Sequence, residues 1–232
     1  ELTLQKTIEH VHQLQQTLKA IKENNILRMY VDENVLNFMG SREFESSLMV
    51  SETIEATVVF IDICSFTTIS ENEPADTVVK LLNNYFDVMV KAIIAHEGYV
   101  DKFIGDCIMA IFKGNYQLDN AIEACLAVRA EIEKLPNVSD TLNYVPKVSI
   151  GINSGEMVSG NIGSANLRRL DYTVIGDAVN VAQRLQIAAG KGQILITETS
   201  YHKVKESFNC QSIGMINFKN KTAPVAVYEV LD

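Results

Sequence analysis

Cysteine, histidine, positive charge and long apolar runs are all in short supply in this chain of 232 residues. Its four cysteines, Cys64, Cys107, Cys125 and Cys210, show no CxxC pair and no zinc-ligand spacing, which excludes the usual cysteine-held metal centres. Three of them stand in apolar, strand-like or helical surroundings and read as reduced core thiols, as expected of a cytoplasmic protein. The four histidines are scattered, which argues against a histidine-based metal site. No uninterrupted apolar run approaches the roughly 18–20 residues of a membrane span, and no basic-then-apolar segment opens the chain as a secretory signal would. The chain begins at Glu1 rather than Met, as a fragment of a longer protein would. A net charge of −9 and a pI of about 5.0 argue against a surface that coats nucleic acid. A nucleotide ligand needs only a few local Lys and Arg and is not excluded. The GKG at Gly190–Gly192 lacks the upstream Gly and the following Ser or Thr, so there is no Walker P-loop. Internal repeats and low-complexity segments are absent.

What is present is a core-forming chain, 47% apolar, with carboxylates set into apolar runs. Thr57–Phe66, TVVFIDICSF, reads as a buried strand interrupted by Asp62. Burying a lone carboxylate costs several kcal/mol, so Asp62 needs a cation or a hydrogen-bond network. A second run, Tyr99–Phe112, holds Asp106 just after Gly105. Each aspartate alone also reads as a turn cap or a strand end; together they suit one divalent-metal site. Mg²⁺ favours one or two carboxylates, waters and substrate phosphate oxygens. The small-residue turn after Asp62, through Ile63, Ser65, Phe66 and Thr67, leads toward a helix, and backbone N–H groups at such a turn can cradle phosphates.

Along the chain, Leu4, Thr7, Val11, Leu14, Leu18, Ile21, Asn25 and Arg28 fall on alternating spacings of three and four among polar residues. This is a heptad seam with Asn25 at an a position, predicting a parallel dimer stalk over residues 1–29; a surface helix on its own domain is the alternative. Residues 30–54 read as a connector. From residue 55 onward we predict strands at Thr57–Ile63, Tyr99–Phe103, Cys107–Phe112, Lys147–Asn153, Met157–Ile162, Leu170–Ile175, Gln193–Thr197, Cys210–Ile216 and Ala226–Leu231. Helices are predicted at Pro74–His96, Leu118–Leu135, Gly176–Ala189 and Ser200–Lys205, with Gly163–Arg169 as a polar, exposed arm. The order makes an α+β fold: a ferredoxin-like βαββαβ core with additional C-terminal α/β elements, preceded by the coiled-coil helix.

Four stretches, FIDICSFT, KFIGDCIMAIF, GINSGEMVSGNIG and DYTVIGDAVNVAQRL, together resemble the catalytic domain of the class III nucleotidyl cyclases, in the family's order and over roughly Glu55 to the C-terminus. The resemblance implies that family's reaction: a ribose 3′-oxygen attacks the α-phosphate of a nucleoside triphosphate and pyrophosphate leaves. The resemblance implies two Mg²⁺ ions, with Mn²⁺ able to substitute, held by Asp62, Asp106 and the Ile63 carbonyl. It implies purine reading by Lys102 and Thr173, ribose positioning by Asn180, transition-state stabilisation by Arg184, and terminal-phosphate contact by Lys219. It also implies sites shared across a homodimer, ATP as substrate, and an N-terminal sensor in the full-length chain.

The residues agree with ATP. Adenine presents an acceptor at N1 and a donor at N6; Lys only donates, and a Thr hydroxyl can accept. Guanine reverses the pattern and wants a carboxylate where Lys102 stands. Thr173 resembles the cyanobacterial and soluble, bicarbonate-responsive branch, whereas the vertebrate membrane cyclases carry Asp there. Asp171, two residues earlier and on the same face by strand alternation, is a rival acceptor. Asn220 replaces the family's usual Gly after the lysine, which leaves Lys221 as an alternative to Lys219. A guanylyl cyclase and a catalytically silent dimerisation or nucleotide-binding module are the competing readings. Lys102 argues against the first, and the joint presence of Asp62, Asp106, Asn180 and Arg184 against the second. A diguanylate-type palm domain would share the core, but no GGDEF-like turn occurs.

Overall fold

The computed structural model describes residues 13, 15–23, 25, 51–136, 144–164, 169–218, 221 and 223–232. Its contacts divide the chain into two units, one formed by residues 1–50 with Asn161–Tyr172 and the other by Ser51–Gly160 with Thr173–Asp232. In the first unit, residues 13, 15–23 and 25 are helical and exposed, including Leu18 and Ile21 of the expected seam. Leu4, Thr7, Val11, Leu14 and Arg28, the connector up to residue 50, and residues 165–168 of the expected arm lie outside the described residues.

The second unit carries the expected core. Strand β1 (Ser51–Ile63) is followed by helices α1 (Phe66–Asn72) and α2 (Ala75–Ala95). Next come β2 (Gly98–Ile104), β3 (Cys107–Phe112), α3 (Gln117–Ile132) and β4 (Val148–Ser164). Within one eight-stranded sheet the order β2-β3-β1-β4 follows. Strand β1 is antiparallel to both β3 and β4. This is the ferredoxin-like arrangement. Beyond the core come β5 (Arg169–Ile175), of which the second unit holds Thr173–Ile175, then α4 (Asp177–Ala188), β6 (Ile194–Thr197), α5 (Glu198–Val204), β7 (Cys210–Ile216) and β8 (Val225–Val230). Strand β5 pairs with β4, and the sheet continues past β4 through β6, β8 and β7. No helix among the described residues is long and apolar enough to cross a membrane.

Two expectations need correcting. Strand β1 begins at Ser51 rather than Thr57, and Lys147–Asn153 and Met157–Ile162 are not separate strands. They are parts of β4, because β4 pairs with β1 rung by rung from Ile63↔Val148 to Ser51↔Gly160. The intervening Asn153-Ser154-Gly155-Glu156 looks like a turn in isolation, but a continuous partner ladder keeps it extended.

Alternation along β1 sorts its side chains between two cores. Val59, Ile61 and Ile63 meet Tyr85, Met89 and Ile93 of α2 and Ile122, Cys125 and Val128 of α3. Ala56, Val58 and Phe60 face the other way, toward Met109, Ile111, Ala178 and Ala182. Each such aliphatic side chain contributes about 1.5–3 kcal/mol when buried. Helix α4 lies unusually close to β4. A Cβ on Gly151 would fall 2.2 Å from the Gln186 amide nitrogen and 2.3 Å from the Ala182 carbonyl oxygen. Buried polar contacts fix the helix there: Gln186 Nε2 donates to Ser149 Oγ (2.9 Å) and Asn153 Nδ2 donates to the Ala178 carbonyl (3.1 Å).

Candidate active site

The carboxylate pair forms at one end of the sheet. Asp62 pairs across the ladder with Cys107, and Asp106 is the residue just before it, in the turn between β2 and β3. That turn needs Gly105, whose φ of 64° is left-handed. Asp62 falls on the face of Val58 and Phe60 by alternation. Burial, and then the neighbouring Asp106 carboxylate, push its pKa up to about 6. The Cys107 thiol is pushed up to about 12 by burial and by the same two carboxylates, so it stays protonated. Among the described residues no cluster of three or more His, Cys, Asp and Glu side chains gathers. The donor set is therefore small and hard: the partly buried Asp62 carboxylate, its neighbour Asp106 and the carbonyl of Ile63 at the strand end. That set fits Mg²⁺ or Mn²⁺, which favour oxygen ligands and keep waters and substrate oxygens.

The turn after β1 is held in an uncommon conformation. Ser65 has φ 63° and ψ 19°, a region that a residue other than Gly enters at some cost. The Cys64 amide donates to the Lys147 carbonyl (3.0 Å) and the Ile69 amide donates to the Ser65 carbonyl (3.2 Å). Tyr144 donates to the Cys64 carbonyl (3.1 Å) and Tyr85 donates to Tyr144 (3.0 Å). Burial holds the Tyr85 phenol above its ordinary range, so this chain of donors stays protonated. Phe66 packs against the core while Thr67 is exposed. The two tyrosines brace this turn, and sequence reasoning missed their pairing. They lie far apart in the chain, and no local pattern announces their pairing.

The expected base readers meet at a third residue. Thr173 Oγ1, on β5 and 8% exposed, donates to Asp101 Oδ2 at 2.7 Å. Lys102 Nζ lies 3.4 Å from the same Asp101 oxygen, and the Asp101 side chain is 1% exposed. A bulge in the pairing of β2 with β3 falls between Val100 and Lys102, at Asp101. Bulges re-aim side chains, and here adjacent residues that strict alternation would send to opposite faces share one ion pair. Asp101 also escaped the sequence reading. Its only signal was a polar doublet, Asp101-Lys102, breaking the alternation of an otherwise apolar strand. Asp171, the rival acceptor, is exposed.

Helix α4 carries Asn180, exposed, and Arg184, half-buried, one turn apart. Lys221 Nζ binds Asp177 Oδ2 at 2.5 Å in the first turn of the same helix. Lys219 lies outside the described residues. The described part of the site thus brings together Asp62 with Asp106, and Lys102 with Thr173, and places Asn180, Arg184 and an alternative lysine on or against one helix.

A family model described as the adenylate and guanylate cyclase catalytic domain matches residues 48–230. The chain belongs to the class III cyclases. An adenylate cyclase of Anabaena cylindrica is 36% identical over 191 residues, covering 78% of this chain and 37% of that protein. Among solved structures, the adenylyl cyclase CyaB from P. aeruginosa is 33% identical with a TM-score of 0.73, covering 79% of this cyclase chain and 97% of the other. The guanylyl cyclase Cya2 is 30% identical with a TM-score of 0.66, covering 78% and 94%. The cyclase chain spans about a third of the length of the curated relatives it matches.

Proposed function

We propose that this cyclase domain is an adenylyl cyclase, converting ATP to 3′,5′-cyclic AMP and pyrophosphate in the cytoplasm under control of an N-terminal sensor. The observation that carries the choice of ATP is the gathering of Lys102 and Thr173 on one buried carboxylate. A Lys ammonium can donate to adenine N1, and a Thr oxygen can accept from N6. A site built on hydrogen bonds of that pattern rejects the reversed pattern of guanine by up to ~10⁴-fold.

In this reading Asp62, Asp106 and the Ile63 carbonyl hold divalent metal, two Mg²⁺ or Mn²⁺. The metal, when bound, supplies Lewis-acid stabilisation of charge developing on the phosphate oxygens. Asn180 orients the ribose so that the 3′-oxygen, its proton given up to solvent water, lines up with the α-phosphate. The new bond joins that oxygen to the α-phosphorus as the bond to the bridging oxygen breaks and pyrophosphate leaves. Arg184 neutralises charge on the transferring phosphoryl group, and Lys219 or Lys221 contacts the terminal phosphates. The turn at Cys64-Ser65, braced by Tyr144, leads into the first residues of α1, so that Phe66 and Thr67 are helical rather than part of the expected turn, and the amides of Ser65, Phe66 and Thr67 face the same phosphates in this reading. Two protomers share each site, the metal ligands coming from one and Asn180 with Arg184 from its partner.

The test is product formation by the purified chain from ATP and from GTP, each with Mg²⁺ and with Mn²⁺. Cyclic AMP should dominate in both metals. Faster turnover of GTP, or none of either nucleotide, would refute the proposal.

A further inference from the structure

Asp101 touches both of the residues assigned to the base but is not itself of a type that reads adenine there. A hydroxyl has one hydrogen to give and two lone pairs to accept with, and an ionised carboxylate only accepts. Whichever way a free Thr173 hydroxyl rotated, it could serve N6 of adenine as acceptor or O6 of guanine as donor. The 2.7 Å bond to Asp101 removes that freedom, because the single hydrogen is already committed.

We infer that Asp101 is a positioning residue for base selection: its buried carboxylate engages the Thr173 hydrogen and leaves only lone pairs to face the base, while pairing with Lys102. The inference rests on the adenylyl reading above and adds to it the residue that sets the polarity of the contact. Three observations support it. The Asp101 side chain is 1% exposed, so water does not compete for the Thr173 hydrogen. The bulge at Asp101 aims the carboxylate where regular pairing would not. Thr173 is itself buried, at 8%, which limits alternative partners for its hydroxyl. Because one carboxylate oxygen serves both Lys102 and Thr173, the donor and the acceptor presented to the purine are set as a unit. Discrimination is then expected to depend on a residue that need not touch the nucleotide.

The test measures kcat/KM for ATP and GTP with the full chain and with Thr173→Val, Asp101→Asn and the double variant, with thermal unfolding as a check on folding. Asn at position 101 replaces the charged acceptor shared with Lys102 by a weaker neutral oxygen or, turned over, by an Nδ2 donor, and either change loosens the hold on the Thr173 hydrogen. Asp101→Asn should therefore lower ATP use about tenfold and narrow the ATP-to-GTP ratio by at least as much. In the Thr173→Val background the same change should leave the ratio nearly unaltered, since the hydroxyl it acts through is gone. A carboxylate that merely stabilises the fold would lower both nucleotides together and leave the ratio alone, which would overturn the inference. Should Asp101→Asn fail to fold, Thr173→Val still decides the matter. Removing a locked acceptor should lower ATP use and raise GTP use, whereas removing a freely rotating hydroxyl would lower both, and that result would also overturn it. A wild type that prefers GTP would overturn the adenylyl reading itself, and this inference with it. ATP preference with an unmoved ratio in Asp101→Asn would overturn the inference alone.

Discussion

Replacing Asp62 with Asn should make the metal-free fold more stable while abolishing turnover. The folded protein raises the Asp62 pKa from 3.8 to about 6, through burial first and the Asp106 charge second. The folded state therefore binds this proton more tightly than the unfolded chain does. Stability from this group is greatest at low pH, where both states are protonated, and is lost as pH rises from about 4 through about 6. At about 1.4 kcal/mol per pKa unit, the full difference is about 3 kcal/mol at neutral pH. Asp62 is only half-buried, and solvent screening reduces such figures, so about 1 kcal/mol is the expected gain from an isosteric neutral side chain. For a domain of this size that is a rise of roughly 2–4 °C in melting temperature. The measurement is thermal unfolding of wild type and Asp62→Asn in chelator at pH 7.5 and pH 5. The variant should melt higher at pH 7.5, and its advantage should shrink to about half at pH 5. With Mg²⁺ or Mn²⁺ present the order should reverse, since only the wild type gains from metal binding. A variant no more stable than wild type at pH 7.5 in chelator would show that the carboxylates are not crowded, and the electrostatic case for metal at Asp62 would fall.

Three further outcomes follow from other parts of the fold. Gly151→Ala drives a methyl group into the backbone of α4 and should cost on the order of 3 kcal/mol; loss of activity should accompany the drop in melting temperature, because the displaced helix carries Asn180 and Arg184. Asp62→Ala and Arg184→Ala chains, each inactive alone, should regain activity on mixing, since a two-fold dimer can rebuild one complete site; no recovery after demonstrated subunit exchange would put both residues in one protomer's site. If residues 1–29 form the expected heptad stalk and relay a signal, insertion of one residue after Lys22, which rotates the downstream helix face by roughly 100°, should change basal activity far more than a seven-residue insertion that keeps the heptad; equal activities at concentrations where both are dimeric would leave such a stalk only a dimerising role.

The parts of the site that were legible in the sequence are those that local chemistry writes directly. An aspartate in a β-branched run, or after a glycine between two apolar segments, departs from its surroundings enough to be seen, and both Asp62 and Asp106 were. The βαββαβ order was legible for the same reason, since periodicity switches cleanly between strand and helix. Where the answer lay in a partner strand, it was hidden. The polar start of β1 and the Asn153–Glu156 stretch of β4 are extended because they pair with each other, and neither carries the pattern alone. Asp101 was hidden by its bulge, and the bracing of the turn after β1 by Tyr85 and Tyr144 was hidden by distance along the chain.

Under the proposed adenylyl reading, the ion pair between Lys102 and Asp101 also bears on how base preference can be changed. Matching guanine at position 102 calls for a carboxylate. Lys102→Glu would place it beside an Asp101 side chain that is 1% exposed, and two like charges some 4 Å apart repel by about 4 kcal/mol near a protein surface. Changing Thr173 as well does nothing for that repulsion. A variant altered only at Lys102 and Thr173 should therefore be destabilised and poor with both nucleotides, and recovery should come with Asp101→Asn or Asp101→Ser. The passage from ATP to GTP is then a three-residue step, with intermediates that leave a buried charge unmatched. In that reading the buried carboxylate, as much as the residues that face the base, decides which single substitutions the site tolerates.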